Sequence, residues 1–267
     1  MAMKRSRKEL AKACVESLID CWMLTYSSSP RRIIWQEPDM VLYCMGGKSA
    51  FENGILKARF TSKNMAARTE QAIDYFKRRR LPMYWWVDPW STPIGLGDFL
   101  QKQGLTLEWE VPCMAIDLTV VRRKPLPAGL IIRPVKDVES LKTCVATAIK
   151  GFSGGGRTAD DGWREAFMGL GLGPSKQWFT GFLDGKPVAS SLLLLQGGLA
   201  TIWTVATLKR ARGRGIGSAL TREPLLLAKD LGYDLVTIQA SKMGLPVYEK
   251  IGFVEYSKIG KYLWTPK

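Results

Sequence analysis

The feature that most constrains the fold is the stretch TVATLKRARGRGIGSALT, residues 204–221. An apolar, β-branched segment leads directly into a basic turn with several glycines, and a helical pattern begins after the turn, at Ile216. In a strand–turn–helix unit of this kind, the amides of the turn and of the helix N-terminus point toward the same place. Glycine lets the backbone approach a phosphate without a Cβ in the way. The stretch is therefore typical of an anion site.

Two other interpretations of this turn stay open on these residues alone. Arginine and glycine also alternate in RNA-binding tracts, and a solvated basic turn needs no ligand. Two nucleotide-binding motifs fit poorly. The glycine spacing is G-x-G-x-G rather than that of a Rossmann dinucleotide site, and the G-K-[ST] of a Walker loop is absent.

The second half of the chain alternates helical and strand patterns, which indicates an α/β fold with a mixed sheet. A strand is predicted at LIIRPV, and a helix over 138–149. Three strands, QWFTGFL, PVASSLLLL and LATIWTVATL, form a predicted meander with turns at Asp184-Gly185 and Gly197-Gly198. After the basic turn come a helix over 216–231 with a kink at Pro224, the strand LVTIQA, the short helix of GLPVYEKIGF and the final strand VEYSKIGKYLW.

The first half is predicted to be a second mixed α/β unit. It contains an amphipathic helix over 9–25, strands near RIIWQ and MVLYCM, and a helix over 65–80. The segment VVRRKPLPAGL, with its charge cluster and prolines, separates the two patterns. We therefore expect two domains, residues 1–125 and 126–267.

Composition excludes several kinds of chemistry. The chain has no histidine, which removes Ser-His-Asp and Cys-His catalysis and most catalytic zinc sites. Its five cysteines are never spaced as CxxC, so reduced thiols and no metal site are expected. No apolar run approaches the roughly 18 residues that span a bilayer, and no signal-peptide pattern follows the basic start. We expect a cytoplasmic protein without a membrane partner.

Two linked motifs resemble the GNAT superfamily of N-acetyltransferases. The stretch ARGRGIGSAL satisfies that family's acyl-CoA signature [QR]-x-x-G-x-[GA] through Arg212, Gly215 and Gly217. Downstream, ASKMGLPVYEKIGF is similar to the family segment in which a Tyr is followed shortly by Gly-Phe. The segment FKRRRLPMYWWVDPWSTPIGLGDFLQKQGL with PCMAIDL resembles the first part of tandem acetyltransferases. The resemblance implies the GNAT acyl-CoA acyltransferase fold, with a degenerate GNAT-like domain followed by an active one.

The resemblance also implies a site for acetyl-CoA, as co-substrate, in the second domain only. The cofactor-binding residues it implies are Val205, Ala206, Thr207, Arg212, Gly213, Arg214, Gly215, Ile216, Gly217, Ser218 and Ser241. The first three would lie along the pantetheine arm, and the residues of the turn would hold the pyrophosphate. Tyr248 would be the general acid for the departing CoA thiolate, and a phenol with a pKa of about 10 suits that step.

No residue stands out as the general base. Many relatives place a Glu on the fourth strand of the domain, where this sequence has Trp203. Asp160, Asp161 and Glu165 are candidates, although each also fits a helix cap or a solvated charge. A water chain, or an amine that arrives already neutral, are the alternatives.

Together these features predict an acetyl-CoA-dependent N-acetyltransferase that moves an acetyl group to a primary amine of a small molecule by direct attack. The formal net charge of +15 favours an acceptor with a carboxylate or phosphate. Alternatives are acetylation of a protein, peptide or nucleic-acid amine, and a non-catalytic acyl-CoA sensor. No dedicated nucleic-acid site is expected, and a monomer is expected over a homodimer. Trp85, Trp86 and Trp90 are interpreted either as core packing or as an aromatic wall over the acceptor.

Overall fold

The computed structural model describes residues 5–152 and 161–266. The first half contains the helices α1 (Arg7–Ser27), α2 (Met65–Arg79) and α3 (Leu96–Lys102), and the strands β1 (Ile33–Glu37), β2 (Met40–Cys44), β3 (Asn53–Leu56), β4 (Met83–Val87) and β5 (Thr106–Asp117). The second half contains the helices α4 (Val138–Phe152), α5 (Asp161–Leu170), α6 (Ile216–Asp230) and α7 (Leu245–Ile251), and the strands β6 (Leu130–Pro134), β7 (Lys176–Leu183), β8 (Lys186–Gln196), β9 (Leu199–Thr207), β10 (Leu235–Gln239) and β11 (Val254–Trp264).

The helices and strands predicted for the second half are present, with ends that differ by a few residues. The meander turns where expected, and Asp184, Gly185, Gly197 and Gly198 have φ values of 51°, 71°, 57° and 76°, as tight hairpins require. The helix α6 continues through Pro224. Most of the loop predicted between α4 and α5 lies outside the described residues.

All eleven strands belong to one sheet, in the order β1-β2-β3-β4-β11-β5-β10-β9-β8-β7-β6. The strand β10 pairs in parallel with β9 and antiparallel with β5. On its other side β5 pairs with β11, and β11 pairs with β4. The last strand of each half therefore lies within the sheet region of the other half, and this exchange makes the sheet continuous.

Helices cover both faces of the sheet. On one face lie α1, α4 and α5, and on the other α2 and α3 cover the first half while α6 and α7 cover the second. Alternation along β4 directs Tyr84 and Trp86 toward α1, and Trp85 toward α2 and α3. Trp85 is therefore a core residue, and Trp90 packs, partly buried, on the same side as Trp86.

The helix α1 links the halves. It starts at a capping box, in which the Ser6 hydroxyl accepts from the Glu9 amide and the Glu9 carboxylate accepts from the Ser6 amide. Its buried face contacts β5 of the first half and β9, β10 and β11 of the second. Across residues 5–152 and 161–266, no helix combines the length and the apolar character that crossing a membrane requires.

Candidate active site

The turn between β9 and α6 exposes a helix N-terminus that no side chain caps. Gly213 and Gly215 have φ values of +76° and +74°, which L side chains rarely adopt. Gly215 is the N-cap of α6, and the first turn of this helix contains no acidic residue. The start of α1, by contrast, is capped by Ser6. The N-terminus of α6 therefore offers amide donors and the positive end of a helix dipole to an anion.

Arg212 fastens this turn to its neighbours. Its Nε donates to the carbonyl oxygen of Thr207 at 3.0 Å, and its Nη2 donates to that of Gly151, near the end of α4, also at 3.0 Å. Lys209 and Arg214, on either side, are exposed. The guanidinium of Arg212 thus links the turn to β9 and to α4, whereas the side chains of Lys209 and Arg214 are exposed to solvent.

The strands β9 and β10 separate beside this turn. Their parallel ladder ends at Ile202 and Ile238. Just beyond it, a β-bulge interrupts the pairing of β9 with β8, and Thr204 adopts a φ of +53°. A bulge of this kind bends its strand. Beyond Ile202, β9 is therefore paired only with β8, and the predicted residues Val205, Ala206 and Thr207 lie on this part of the strand.

Tyr248, on α7, borders the space between the separated strands. Its side chain is buried, with its ring centroid 5.9 Å from that of Phe253. Gly244 packs directly against the phenol, because a Cβ at Gly244 would lie 2.8 Å from Cε2 of Tyr248. Burial raises the pKa of Tyr248 well above the usual value of a phenol, so the hydroxyl keeps its proton at neutral pH.

Ser241 lies at the end of β10, where its hydroxyl accepts a hydrogen bond from the Gly244 amide at 3.1 Å. Ser241 thus shapes the start of α7. Of the residues predicted for the site, Val205, Ser241 and Tyr248 line one cavity, while Ala206, Thr207 and the residues of the turn, 212–218, do not line it.

This cavity has a volume of about 810 Å³ and extends from the separated strands into the first half. Small-molecule sites commonly measure roughly 300–1,000 Å³. Aromatic side chains from both halves make much of its wall: Trp22, Phe51, Trp86, Trp109, Phe152, Trp163, Phe167 and Trp203. Of the tryptophans singled out in the sequence, Trp86 belongs to this wall.

Three charged side chains line the cavity among the described residues: Glu108, Lys242 and Lys261. The Nζ of Lys261 lies 3.0 Å from Oε2 of Glu108, and the Tyr84 hydroxyl donates to the same oxygen at 2.7 Å. Partial burial alone would raise the pKa of Glu108. The hydrogen bonds from Tyr84 and Lys261, together with the charges of Lys261 and Lys242, outweigh burial and hold that pKa below its usual value.

Neither Glu108 nor Lys261 was identified from the sequence. Simple alternation along β5 places Glu108 and Trp109 on opposite faces of the sheet. In the structure a β-bulge leaves Glu108 as the extra residue, between the pairs Lys261–Trp109 and Tyr262–Leu107, and both side chains reach the cavity. The partner strand comes from the other half of the chain, so no local pattern signals this bulge.

Of the three candidate bases from the sequence, Glu165 is the one whose side chain the structure describes. The carboxylate of Glu165 accepts from Nη2 of Arg31 at 2.7 Å and is not part of the cavity lining. Asp160 and the side chain of Asp161 lie outside the described part of the chain. Glu108 is the only carboxylate in the described part of the lining, and its lowered pKa makes it a weak proton acceptor. Within residues 5–152 and 161–266, no three cysteine or acidic side chains are grouped as a metal site needs.

The segment around the separated strands matches a known protein family, and the fold resembles that of several solved structures. Residues 174–255 match the acetyltransferase (GNAT) domain family. A GCN5-related N-acetyltransferase from Kribbella flavida has a TM-score of 0.70 and 18% identity over 96% of this chain and 95% of that chain. A GCN5-related N-acetyltransferase from Sphaerobacter thermophilus has a TM-score of 0.62 and 16% identity, with 85% and 80% coverage. A tandem GNAT protein from the clavulanic acid biosynthesis pathway has a TM-score of 0.59 and 12% identity, with 91% and 87% coverage.

At these identities the solved structures establish the fold alone, and they do so over most of the chain. The family match is narrower and contains the meander, the glycine turn, α6, β10 and α7. These are the elements that hold the uncapped helix N-terminus and Tyr248. The chain therefore contains a GNAT acetyltransferase domain and has the fold of the tandem GNAT proteins.

Proposed function

We propose that the protein is an acetyl-CoA-dependent N-acetyltransferase that acts on the primary amine of a small molecule. The observation that carries the proposal is the joint placement of the uncapped α6 N-terminus and Tyr248 beside the gap between β9 and β10. An anion site, a strand edge and a protonated phenol are the three parts that binding and cleaving an acyl thioester require.

Each part has a role in the proposed reaction. Acetyl-CoA supplies the activated acetyl group. The amides of residues 212–218 would bind its pyrophosphate, and the one-sided strand over 205–207 would bind its amide-rich arm. The Tyr248 hydroxyl would donate its proton to the departing thiolate; burial keeps the phenol protonated before the reaction, and the raised pKa makes it a weaker acid than a free phenol. The acceptor amine attacks from the aromatic cavity and releases its proton to water.

Contrast with the first half supports a single acetyl-CoA site. The strands β3 and β4 are parallel neighbours, as β9 and β10 are, and α2 connects them as α6 connects the other pair. The segment before α2 has no glycine, however, and its polar groups bond to one another: the Thr61 amide donates to Oδ1 of Asn64 at 2.8 Å. The N-cap residue of α2, Asn64, makes no side-chain cap either, so the difference from α6 is the absence of the glycines that let a backbone approach a phosphate.

Mass spectrometry of a mixed amine library, incubated with acetyl-CoA, tests the proposal. The parent protein should acetylate one chemical class. Tyr248→Phe keeps the ring and removes the proton, so its kcat should fall by about 10²–10⁴-fold, as for loss of a general acid. Calorimetric binding of acetyl-CoA to both proteins is the control.

Three results would count against the proposal. A Tyr248→Phe variant with the parent rate would remove the role of Tyr248. Binding of acetyl-CoA without acetylation of any small amine would favour a macromolecular acceptor or a sensor. Failure to bind acetyl-CoA would overturn the proposal itself.

A further inference from the structure

We infer that the acceptor is a primary amine with a flat aromatic body and an adjacent carboxylate, the chemistry of an aromatic amino acid. This inference rests on the proposed function and names the substrate class of the same cavity. It is carried by three observations: the aromatic wall, the ammonium of Lys261 over two of the rings, and a second lysine, Lys242, that lines the same cavity as Tyr248.

The wall is a set of rings in mutual contact around Trp22. The Trp22 ring centroid lies 4.7 Å from that of Trp86, 5.5 Å from that of Trp203 and 6.0 Å from those of Trp163 and Phe51. Aromatic rings pair favourably at such separations, so a ligand ring can extend this cluster. A polyhydroxylated amine, such as an amino sugar, would leave hydroxyl groups without partners against the same surface.

An acceptor with a second cation is disfavoured by Lys261. Rings that line a cavity can bind an ammonium group over their faces. Here the ammonium of Lys261 already lies 4.8 Å from the Phe51 centroid and 4.5 Å from the Tyr84 centroid. A polyamine would bring its additional charge toward Lys261 and Lys242, and Glu108, the one carboxylate among the described lining residues, is already paired with Lys261.

Lys242 supplies the site for a carboxylate. Its Nζ lies 4.9 Å from the Trp109 ring centroid, and no ion pair holds it among the described residues. It directly follows Ser241, and Ser241, Lys242 and Tyr248 line the same cavity. In an α-amino acid, one carbon joins the amine to the carboxylate. An amine placed beside Tyr248 therefore brings its carboxylate toward Lys242 and its ring toward the tryptophans.

The inference is tested with matched acceptors and the full chain. Phenylalanine carries the ring, the amine and the carboxylate. Phenethylamine lacks the carboxylate, alanine lacks the ring, and spermidine and glucosamine represent the excluded classes. Acetylated product is measured by mass spectrometry, and kcat/KM is obtained for each. Phenylalanine should exceed phenethylamine and alanine by about tenfold or more, the effect of one hydrogen bond to a charged group or of one buried ring.

Two variants, each with a matched control, assign the effects to the proposed residues. Lys242→Met should reduce the phenylalanine-to-phenethylamine ratio of kcat/KM toward one. Lys250→Met, an exposed lysine of α7 outside the cavity lining, should leave the ratio as it is. Trp163→Leu should reduce the phenylalanine-to-alanine ratio, whereas Trp35→Leu, at a half-exposed tryptophan of β1, should not. Acetyl-CoA binding and thermal unfolding show whether each variant is folded.

The outcomes separate the inference from the function beneath it. Preference for spermidine or glucosamine would overturn the inference while the N-acetyltransferase proposal stands. Equal use of phenylalanine and phenethylamine, with no effect of Lys242→Met, would overturn the carboxylate site. Acetylation of no amine at all would remove the proposed function and the inference together.

Discussion

Gly244 packs against the face of Tyr248, and replacing it with alanine tests how closely the position of the phenol is controlled. A Cβ at this position would lie 2.8 Å from Cε2 of Tyr248, and 3.1 Å from both Cζ and the hydroxyl oxygen. Carbon atoms in unstrained contact are about 3.5–4.0 Å apart. The ring must therefore move away by about 0.7 Å or more, since the alanine backbone itself fits: Gly244 has φ −78° and ψ −32°.

Two effects of Gly244→Ala on stability oppose each other. Alanine restricts the unfolded chain and so stabilises the fold by about 0.4–1 kcal/mol. Overpacking against the buried ring costs about 1–3 kcal/mol. We expect a net loss of about 1 kcal/mol in the free energy of unfolding, so the variant remains folded. A displacement of this size at a reacting group can lower the rate by about 100-fold, which is the expected fall in kcat.

The assay is a double-mutant cycle with Tyr248→Phe, measured as kcat for acetyl transfer. Phenylalanine at position 248 presents the same ring to alanine but has no proton to misplace. Gly244→Ala should therefore lower kcat in the parent and have little further effect in Tyr248→Phe. An equal fall in both backgrounds, or parent activity in Gly244→Ala, would refute the reasoning.

Three further predictions concern the fold and its charges. All five cysteines are buried, and burial raises the pKa of Cys14 and of Cys144 to about 12. An aromatic disulfide reagent should therefore label no thiol in the native protein and five thiols after unfolding. Fast labelling of the native protein would contradict this prediction. Because the folded-state pKa of Glu108 is lowered, the ionised carboxylate stabilises the fold above the usual Glu pKa, and this contribution is lost as the pH falls. Glu108→Gln should lower the free energy of unfolding by less than about 1 kcal/mol at pH 7, because the Glu108–Lys261 pair is partly exposed, and by a smaller amount at pH 4. Urea unfolding measures both values, and an equal loss at the two pH values would contradict the prediction. Because each half lacks a strand that the other half supplies, fragments 1–125 and 126–267 should show no cooperative thermal unfolding when they are separate. A cooperative transition should return when the two fragments are refolded together. A sharp transition in either fragment alone would count against the strand exchange.

The parts of the site that could be predicted from the sequence are those built from local signals. The turns of the meander depend on residues that accept positive φ, and the glycine turn depends on Gly213 and Gly215 in the same way. In both cases a few neighbouring residues decide the conformation, so the pattern is visible without the fold. Tyr248 is predicted from the resemblance of its segment to the GNAT family, and its role as general acid stays a prediction.

The cavity wall could not be predicted, because it is assembled from distant segments. Trp22 comes from α1, Trp86 from β4 and Trp163 from α5, and no spacing in the sequence relates them. Glu108 reaches the cavity through a bulge against β11, a strand from the other end of the chain. The contact of Arg212 with Gly151 is likewise set by where α4 ends beside β9. Such contacts exist only once the sheet is formed.

The exchange of β5 and β11 sets an order of events during synthesis. The strand β4 is complete once residue 87 has been made, but one of the neighbours that pair with it, β11, spans Val254–Trp264 and is synthesised after the other ten strands of the sheet. Until then β4 and β5 present unpaired edges, which are templates for pairing with other chains. Contacts between such distant residues also slow folding, because a long loop must close before they form. Closure of the sheet between β4 and β5 therefore waits until the last residues of β11 have been released.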